Sequence, residues 1–202
     1  MIIALAGAKG SGKDYFYHKA VDICAVLCER PPIIKKLAFA DLIKRRICEI
    51  FDLKSEQEYD IFKRTLSAYK TDSNILKLRH NRDIIKNIGM LMRSYDPDQF
   101  IKYAETCMIF NMNEPNYIWF ITDLRFDNEV QFVRKNYGII VKIMRHNNPY
   151  DGHATEIELP DEQCDHIVIN DGTSNFDQTI WTVLNLILPL QFHLTRNSHE
   201  ET

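Results

Sequence analysis

Gly7-Ala8-Lys9-Gly10-Ser11-Gly12-Lys13-Asp14 is the segment of this chain whose residue types and spacing most clearly serve chemistry. It fits G-x-x-x-x-G-K, with Asp where Ser or Thr is usual. Glycines let the backbone turn tightly and approach a phosphate with no Cβ in the way. The freed N–H groups and the N-terminus of a following helix then face the anion, and Lys13 adds a point charge. Gly10, Ser11, Gly12, Lys13 and Asp14 are the expected triphosphate-binding residues. A hydroxyl at position 14 would normally touch Mg²⁺. The carboxylate of Asp14 can hold Mg²⁺ directly or through water, orient Lys13, or accept a proton from a substrate phosphate.

A second carboxylate, Asp123, ends an apolar run from Tyr117 to Thr122. An acidic residue at such a strand end suits a Mg²⁺-bound water, the Walker-B role; a solvated strand-end Asp is the plain alternative. Arg125 and Glu129 lie four apart and can pair on one helical turn. Arg125 is the stronger functional candidate, because a guanidinium grips phosphate bidentately. Phosphoryl transfer spreads negative charge over the transferred group, so catalysis is mostly positioning plus cations. Lys9, Lys13, Arg82, Arg93, Arg125 and Arg145 form the pool of cations, and Lys13, Asp14, Asp123 and Arg125 the expected catalytic set, with Asp14 and Asp123 as metal holders.

The surrounding pattern must place these groups. Ile2–Ala6 reads as a buried strand before the glycine loop, and Phe16, Ala20, Ile23, Cys24 and Leu27 mark one face of a helix after it. Strands are expected at 33–39, 117–122, 139–144 and 166–169. Helices are expected at 42–51, 82–93, from the Asp96-Pro97 turn to about 110, 128–136, and from Ser174. In the second of these, Ile84, Ile85, Ile88, Leu91 and Met92 are expected to face inward. Asp96 reads as an N-cap with Gln99 as its returning partner, and Ser174 with Asp177 as a capping-box-like start. Residues 54–81 are polar and weakly periodic, a helical insertion or a flap. Alternating strands and helices predict an α/β fold: a parallel sheet with helices on both faces and a ligand at the strands' carboxyl ends.

Bulk composition limits the function classes. Apolar residues make up 45% of the 202, enough for a real core, and 25 basic against 28 acidic residues give a net charge of -3. That balance argues against nucleic acid as a partner, and no apolar run is long enough to span a bilayer. Five cysteines without a C-x-x-C pair, and an opening apolar run interrupted by Lys9, predict reduced thiols and a cytoplasmic location. Cys24 and Cys28 lie one turn apart, but only His18 is near them in sequence, so core thiols are expected rather than a metal site.

Four segments in order resemble the bacteriophage deoxynucleoside monophosphate kinases: the loop ending Ser11-Gly12-Lys13-Asp14, Asp123-Leu124-Arg125-Phe126-Asp127-Asn128-Glu129 as D-x-R-x-x-x-E, His153 to Pro160 as H-x-T-E-x-x-L-P, and Asp165 to Thr173 as D-x-x-I-x-N-D-G-[TS]. The match is nearly continuous from about 118 to 186, moderate from 82 to 102, and poor from 53 to 81. The resemblance implies a single three-layer P-loop kinase domain over 1–202, with a helical monophosphate-binding insertion at about 53–112 and a lid at about 145–163. It implies transfer of the γ-phosphoryl of ATP, with Mg²⁺, to a deoxynucleoside 5′-monophosphate of the dGMP, dTMP or dCMP type, in the host cytoplasm for a phage protein, and leaves a homodimer open. Lys9, Arg82, Gly89, Phe100, Asp123, Arg125 and Glu129 would line the monophosphate site. Two departures stand out: Tyr15 and Met90 occupy positions where Thr is common in the family. Rival readings are a phosphomevalonate kinase of the animal type, which shares the Ser-Gly-Lys-Asp loop, a dephospho-coenzyme A kinase, and a non-catalytic nucleotide-binding module.

Overall fold

The computed structural model describes residues 1–27, 31–70, 76–110, 114, 116–145 and 159–188. The chain separates into two compact units, one of residues 1–38 and 107–202, the other of residues 39–106.

The first unit is built on five parallel strands: β1 (Ile2–Ala6), β2 (Ile33–Leu37), β5 (Tyr117–Leu124), β6 (Ile139–Met144) and β7 (His166–Ile169), in the order β2-β5-β1-β6-β7. The α/β fold expected from the sequence is the one observed. From β1 the chain steps one way along the sheet to β2, and from β5 the other way to β6. Right-handed crossovers therefore put α1 (Lys13–Leu27) and α6 (Asp127–Lys135) on opposite faces. The packing agrees. Ile3, Leu5, Ile118, Phe120, Val141, Ile143 and Val168 share a core with Phe16, Ala20 and Ile23 of α1 and with Phe176, Ile180, Val183 and Leu184 of α7 (Ser174–Ile187). On the other face, a Cβ placed on Gly138 would meet both Val133 of α6 and Ile2 of β1. The central strand β1 is buried at every residue, as a strand covered on both faces must be.

The second unit contains α2 (Asp41–Ile50), α3 (Glu56–Arg64), β3 (Leu66–Lys70), β4 (Leu76–His80), α4 (Asn81–Tyr95) and the start of α5 (Gln99–Met108). Residues 54–81 are thus neither wholly helical nor irregular. Ser55 caps α3 by accepting from the Glu58 N–H, and β3 and β4 pair antiparallel with Ala68 opposite Leu78.

Three local expectations are corrected. Leu91 is exposed rather than inward, while Asn81 and Gly89 are the buried residues of that helix. Asp96 ends α4 instead of beginning α5 alone: its N–H is used by Met92 O, so Gln99 donates its amide to Met92 O and Asp96 O. The Asp96 carboxylate accepts from Asp98 N–H at 3.1 Å. The N-cap of α7 is Thr173, whose hydroxyl accepts from Asn175 N–H, and Asp177 turns instead to Lys19 and Tyr15.

Candidate nucleotide site

The glycine loop joins β1 to α1 at the carboxyl end of the sheet, where ligands bind in folds of this class. Its shape depends on glycine at two points. Gly7 has φ +134°, and a Cβ there would lie 2.2 Å from Ile143 O at the end of β6. Gly12 has φ +110°, and a Cβ there would lie 2.4 Å from the amide nitrogen of Asn170, just past β7. Side chains at either position would push the loop off the strands that shape it.

Asn170 is the fastener. It is buried; its Nδ2 donates to Ser11 O at 2.8 Å, and its Oδ1 accepts from Gly172 N–H at 3.0 Å. Its own N–H donates to Met144 O, so the loop, β6 and β7 are tied at one residue. Asp171 beside it accepts from the N–H and hydroxyl of Thr173 at 2.9 and 2.8 Å and from Asn175. These donors, the Thr173 N–H foremost, hold its carboxyl below the usual range and set the first turn of α7. The sequence reading quoted the Asn170-Asp171-Gly172-Thr173 stretch without giving Asn170 a role. Replacing Asn170 with Ala leaves Ser11 O without its donor; kcat/KM for the triphosphate is expected to fall roughly 10-fold, measured by steady-state kinetics beside a melting curve.

Lys13 is half-buried and donates to Gly7 O and Ala8 O, each at 2.7 Å. Its ammonium therefore lies over the loop's own carbonyls, inside the turn. The Ser11 hydroxyl is buried and has no hydrogen-bond partner among the described residues. A turn with positive-φ glycines, an orphaned hydroxyl and a lysine folded over it fits a polyphosphate. Lys9 and Gly10 are exposed on the outer arc, and the Arg145 guanidinium reaches Gly10 O at 3.4 Å.

Asp14 is exposed and pairs with Lys36 of β2 at 2.7 Å. The hydrogen bond from the Lys36 ammonium, followed by its charge, holds the Asp14 carboxyl below its usual range, so it is ionised at neutral pH. Lys36 also lies 5.1 Å from the Tyr17 ring centre. It is a cation beside the loop that the sequence pool omitted, because a lysine within an apolar strand run reads as edge solvation.

β1 and β5 are neighbours, with Ala4 opposite Ile121 and Ala6 opposite Leu124. Two residues, Thr122 and Asp123, therefore face Leu5 alone. That irregularity is a bulge, a device that re-aims side chains beside active sites. It sets half-buried Asp123 level with the end of β1, where the loop begins. Arg125 follows two residues on, just past the end of β5. Glu129 is fully buried, and its carboxylate accepts from the backbone N–H of Arg125 at 2.9 Å and of Phe126 at 3.2 Å. Through these bonds the expected Arg125–Glu129 partnership runs from the arginine's main chain, and Glu129 fixes the turn that carries the arginine.

In the other unit, Gly89 lets α4 approach α2: a Cβ there would lie 2.7 Å from Ile43. Phe100 is fully buried, and the Arg93 guanidinium lies 4.1 Å from its ring centre, a cation–π contact. Arg82 stands in the first turn of α4 and is half-buried. The segment 146–158, most of the expected lid with His153, Thr155 and Glu156, lies outside the described residues. Beyond it, the Lys142 ammonium of β6 donates to Leu159 O and Asp161 Oδ1, each at 2.7 Å.

Cys24 is buried as expected, and Cys24, Cys48, Cys107 and Cys164 are in no disulfide among the described residues; Cys28 lies outside the described residues. Among the described residues no group of three or more His, Cys, Asp or Glu could hold a metal, and no helix is long and apolar enough to cross a membrane.

The sequence profile of the deoxynucleotide monophosphate kinase family matches residues 88–180. A protein of Acanthamoeba polyphaga mimivirus, whose name assigns it to the deoxynucleotide monophosphate kinases, is 28% identical over 185 residues, covering 86% of this chain and 90% of its own. Among solved structures, shikimate kinase from Bacteroides thetaiotaomicron aligns over 93% of this chain and 98% of its own, at 12% identity and a TM-score of 0.39. The family and relative matches support a nucleotide kinase, a phosphotransferase.

Proposed function

We propose that this protein transfers the γ-phosphoryl group of ATP to a deoxynucleoside 5′-monophosphate, giving ADP and a deoxynucleoside diphosphate. The observation that carries this reading is the meeting of two parts at the carboxyl ends of β1 and β5: a loop shaped to hold polyphosphate, and the Asp123–Arg125 segment that lies within the matched family region.

The N–H groups of Gly10 to Asp14, the Ser11 hydroxyl and the first turn of α1 bind the phosphates of ATP. Lys13 leaves Gly7 O and Ala8 O for the terminal phosphates, exchanging neutral acceptors for anionic ones. Arg125, on a turn fixed by Glu129, meets charge that develops on the transferred group. Asp14 and Asp123 are the carboxylates available to hold Mg²⁺, which usually takes only one or two protein carboxylates. Magnesium, when bound, neutralises charge on the β- and γ-phosphate oxygens. Lys9, Arg82, Gly89, Phe100, Asp123, Arg125 and Glu129 stay assigned to the monophosphate. Phe100 and Glu129, being fully buried, act through what they position: Arg93 for the first, Arg125 for the second.

A coupled ADP-release assay across dGMP, dTMP, dCMP, dAMP and phosphomevalonate tests the substrate class. ADP release stimulated by one or more deoxynucleotides is expected; stimulation by phosphomevalonate alone would assign the site to a different acceptor.

A further inference from the structure

Tyr15 follows the loop directly, at a position where the resembled kinases commonly carry Thr, and the residue is 51% exposed. An exposed aromatic ring ordinarily samples several rotamers. This one is held at both ends. Its hydroxyl donates to Asp177 Oδ1 at 2.7 Å, and Lys19 holds the other carboxylate oxygen of Asp177, also at 2.7 Å. Its ring is stacked on Phe176, with centres 5.6 Å apart and planes 26° from parallel. Phe176 is itself buried, and its edge lies 3.4 Å from where a Cβ on Gly12 would be.

The setting is as informative as the ring. Tyr15 lies in the first turn of α1 and Phe176 in the first turn of α7, and these helices follow the carboxyl ends of β1 and β7. Both rings therefore lie on the rim where ligands enter such sheets. A nucleoside triphosphate seated by its phosphates on Gly10 to Lys13 must place its base within a few ångströms of the loop's flanks. A flat, pre-ordered apolar surface two residues beyond Lys13 suits the face of a base, and the ordering cost is met before the ligand arrives.

Given that the loop holds a nucleoside triphosphate, as proposed above, we infer that Tyr15 is the stacking platform for the base of the donor nucleotide. Phe176 backs the ring, and Asp177 and Lys19 fix its tilt. Stacking on a π-face is tolerant of base identity, so this platform contributes affinity for purine donors in general and leaves discrimination between them to polar contacts elsewhere.

The test compares binding of Mg²⁺-ATP and of inorganic tripolyphosphate, which has the phosphates and no base, by calorimetry on the full chain. Tyr15→Ala is expected to weaken ATP roughly 10-fold and to leave tripolyphosphate within about twofold. Tyr15→Trp, which keeps a stacking face should the alanine variant fold poorly, is expected to hold ATP at least as well as the original chain, again with tripolyphosphate unchanged. Equal losses for both ligands in folded Tyr15→Ala would make the ring a support of the loop and overturn the inference. So would an unchanged ATP affinity in Tyr15→Ala, or a loss of ATP alone in Tyr15→Trp. Should the unaltered chain bind neither ligand, the polyphosphate reading of the loop itself falls, a result distinct from any of these.

Discussion

Changing Lys13 to Met is expected to lower turnover by on the order of 10³, while the melting temperature falls by no more than about 8 °C. The two parts of this expectation have separate causes. The Lys13 ammonium donates to Gly7 O and Ala8 O. Lys13 is only half-buried, so water can take over those carbonyls when the ammonium is gone. Losing one or two such bonds costs about 1–2 kcal/mol, and each kcal/mol moves the midpoint of a chain this size by about 2–4 °C. The charge on the terminal phosphates has no such substitute, because methionine brings none. Steady-state kinetics with a thermal melt on the same sample checks both parts. A drop above about 10 °C would mark Lys13 as chiefly a support of the loop.

Arg125→Ala is expected to cost a further large factor, again on the order of 10³ in kcat, the lower range for an arginine that stabilises the transferring phosphoryl. The structure makes this substitution unusually clean. Glu129 holds the 125–126 turn through backbone N–H groups, which alanine retains. Those two bonds should therefore survive the substitution, which removes the guanidinium. Arg125→Lys should recover little, since an ammonium cannot make the bidentate contact. An unchanged kcat in a folded Arg125→Ala protein would remove Arg125 from the chemistry. Glu129→Ala, by contrast, strips acceptors from two N–H groups in a buried place, and loses stability as well as activity.

These expectations rest on parts of the molecule that differ in how plainly the sequence announced them. The sheet was legible because its strands are short apolar runs with no competing signal: Ile2–Ala6, Tyr117–Thr122 and Ile139–Met144 are covered on both faces and need no alternation. The loop was legible because glycine and lysine at fixed offsets have a mechanical reason. The strand pair β3–β4 was missed although Leu76-Lys77-Leu78-Arg79 alternates with period two and Asp72-Ser73-Asn74 is turn-forming. The density of charge there masks the alternation, since the polar positions on both faces blur an apolar side. The bulge at Thr122–Asp123 could not be read at all, since it is a property of register between strands more than a hundred residues apart.

The site divides the same way. Lys13, Asp123 and Arg125 could be picked out by residue type and local context. What the others do depends on contacts across the chain. Glu129 looks like a surface partner for Arg125 until its complete burial shows it bonded to main-chain N–H groups. Asn170 and Lys36 reach the loop from 159 and 22 residues away, a distance over which spacing carries no message. Asp14 reads in sequence as a carboxylate that could hold Mg²⁺, orient Lys13 or accept a proton; the structure gives it a cation, Lys36, and so an ionised carboxylate beside the loop.

The most direct test follows the phosphoryl group itself. ATP labelled in the γ position is incubated with Mg²⁺, the full chain and each deoxynucleoside monophosphate, and the labelled products are separated. The account predicts label in a deoxynucleoside diphosphate, formed in step with ADP and lost in Lys13→Met. Label appearing only in inorganic phosphate, or in phosphomevalonate when that is the acceptor supplied, would contradict it.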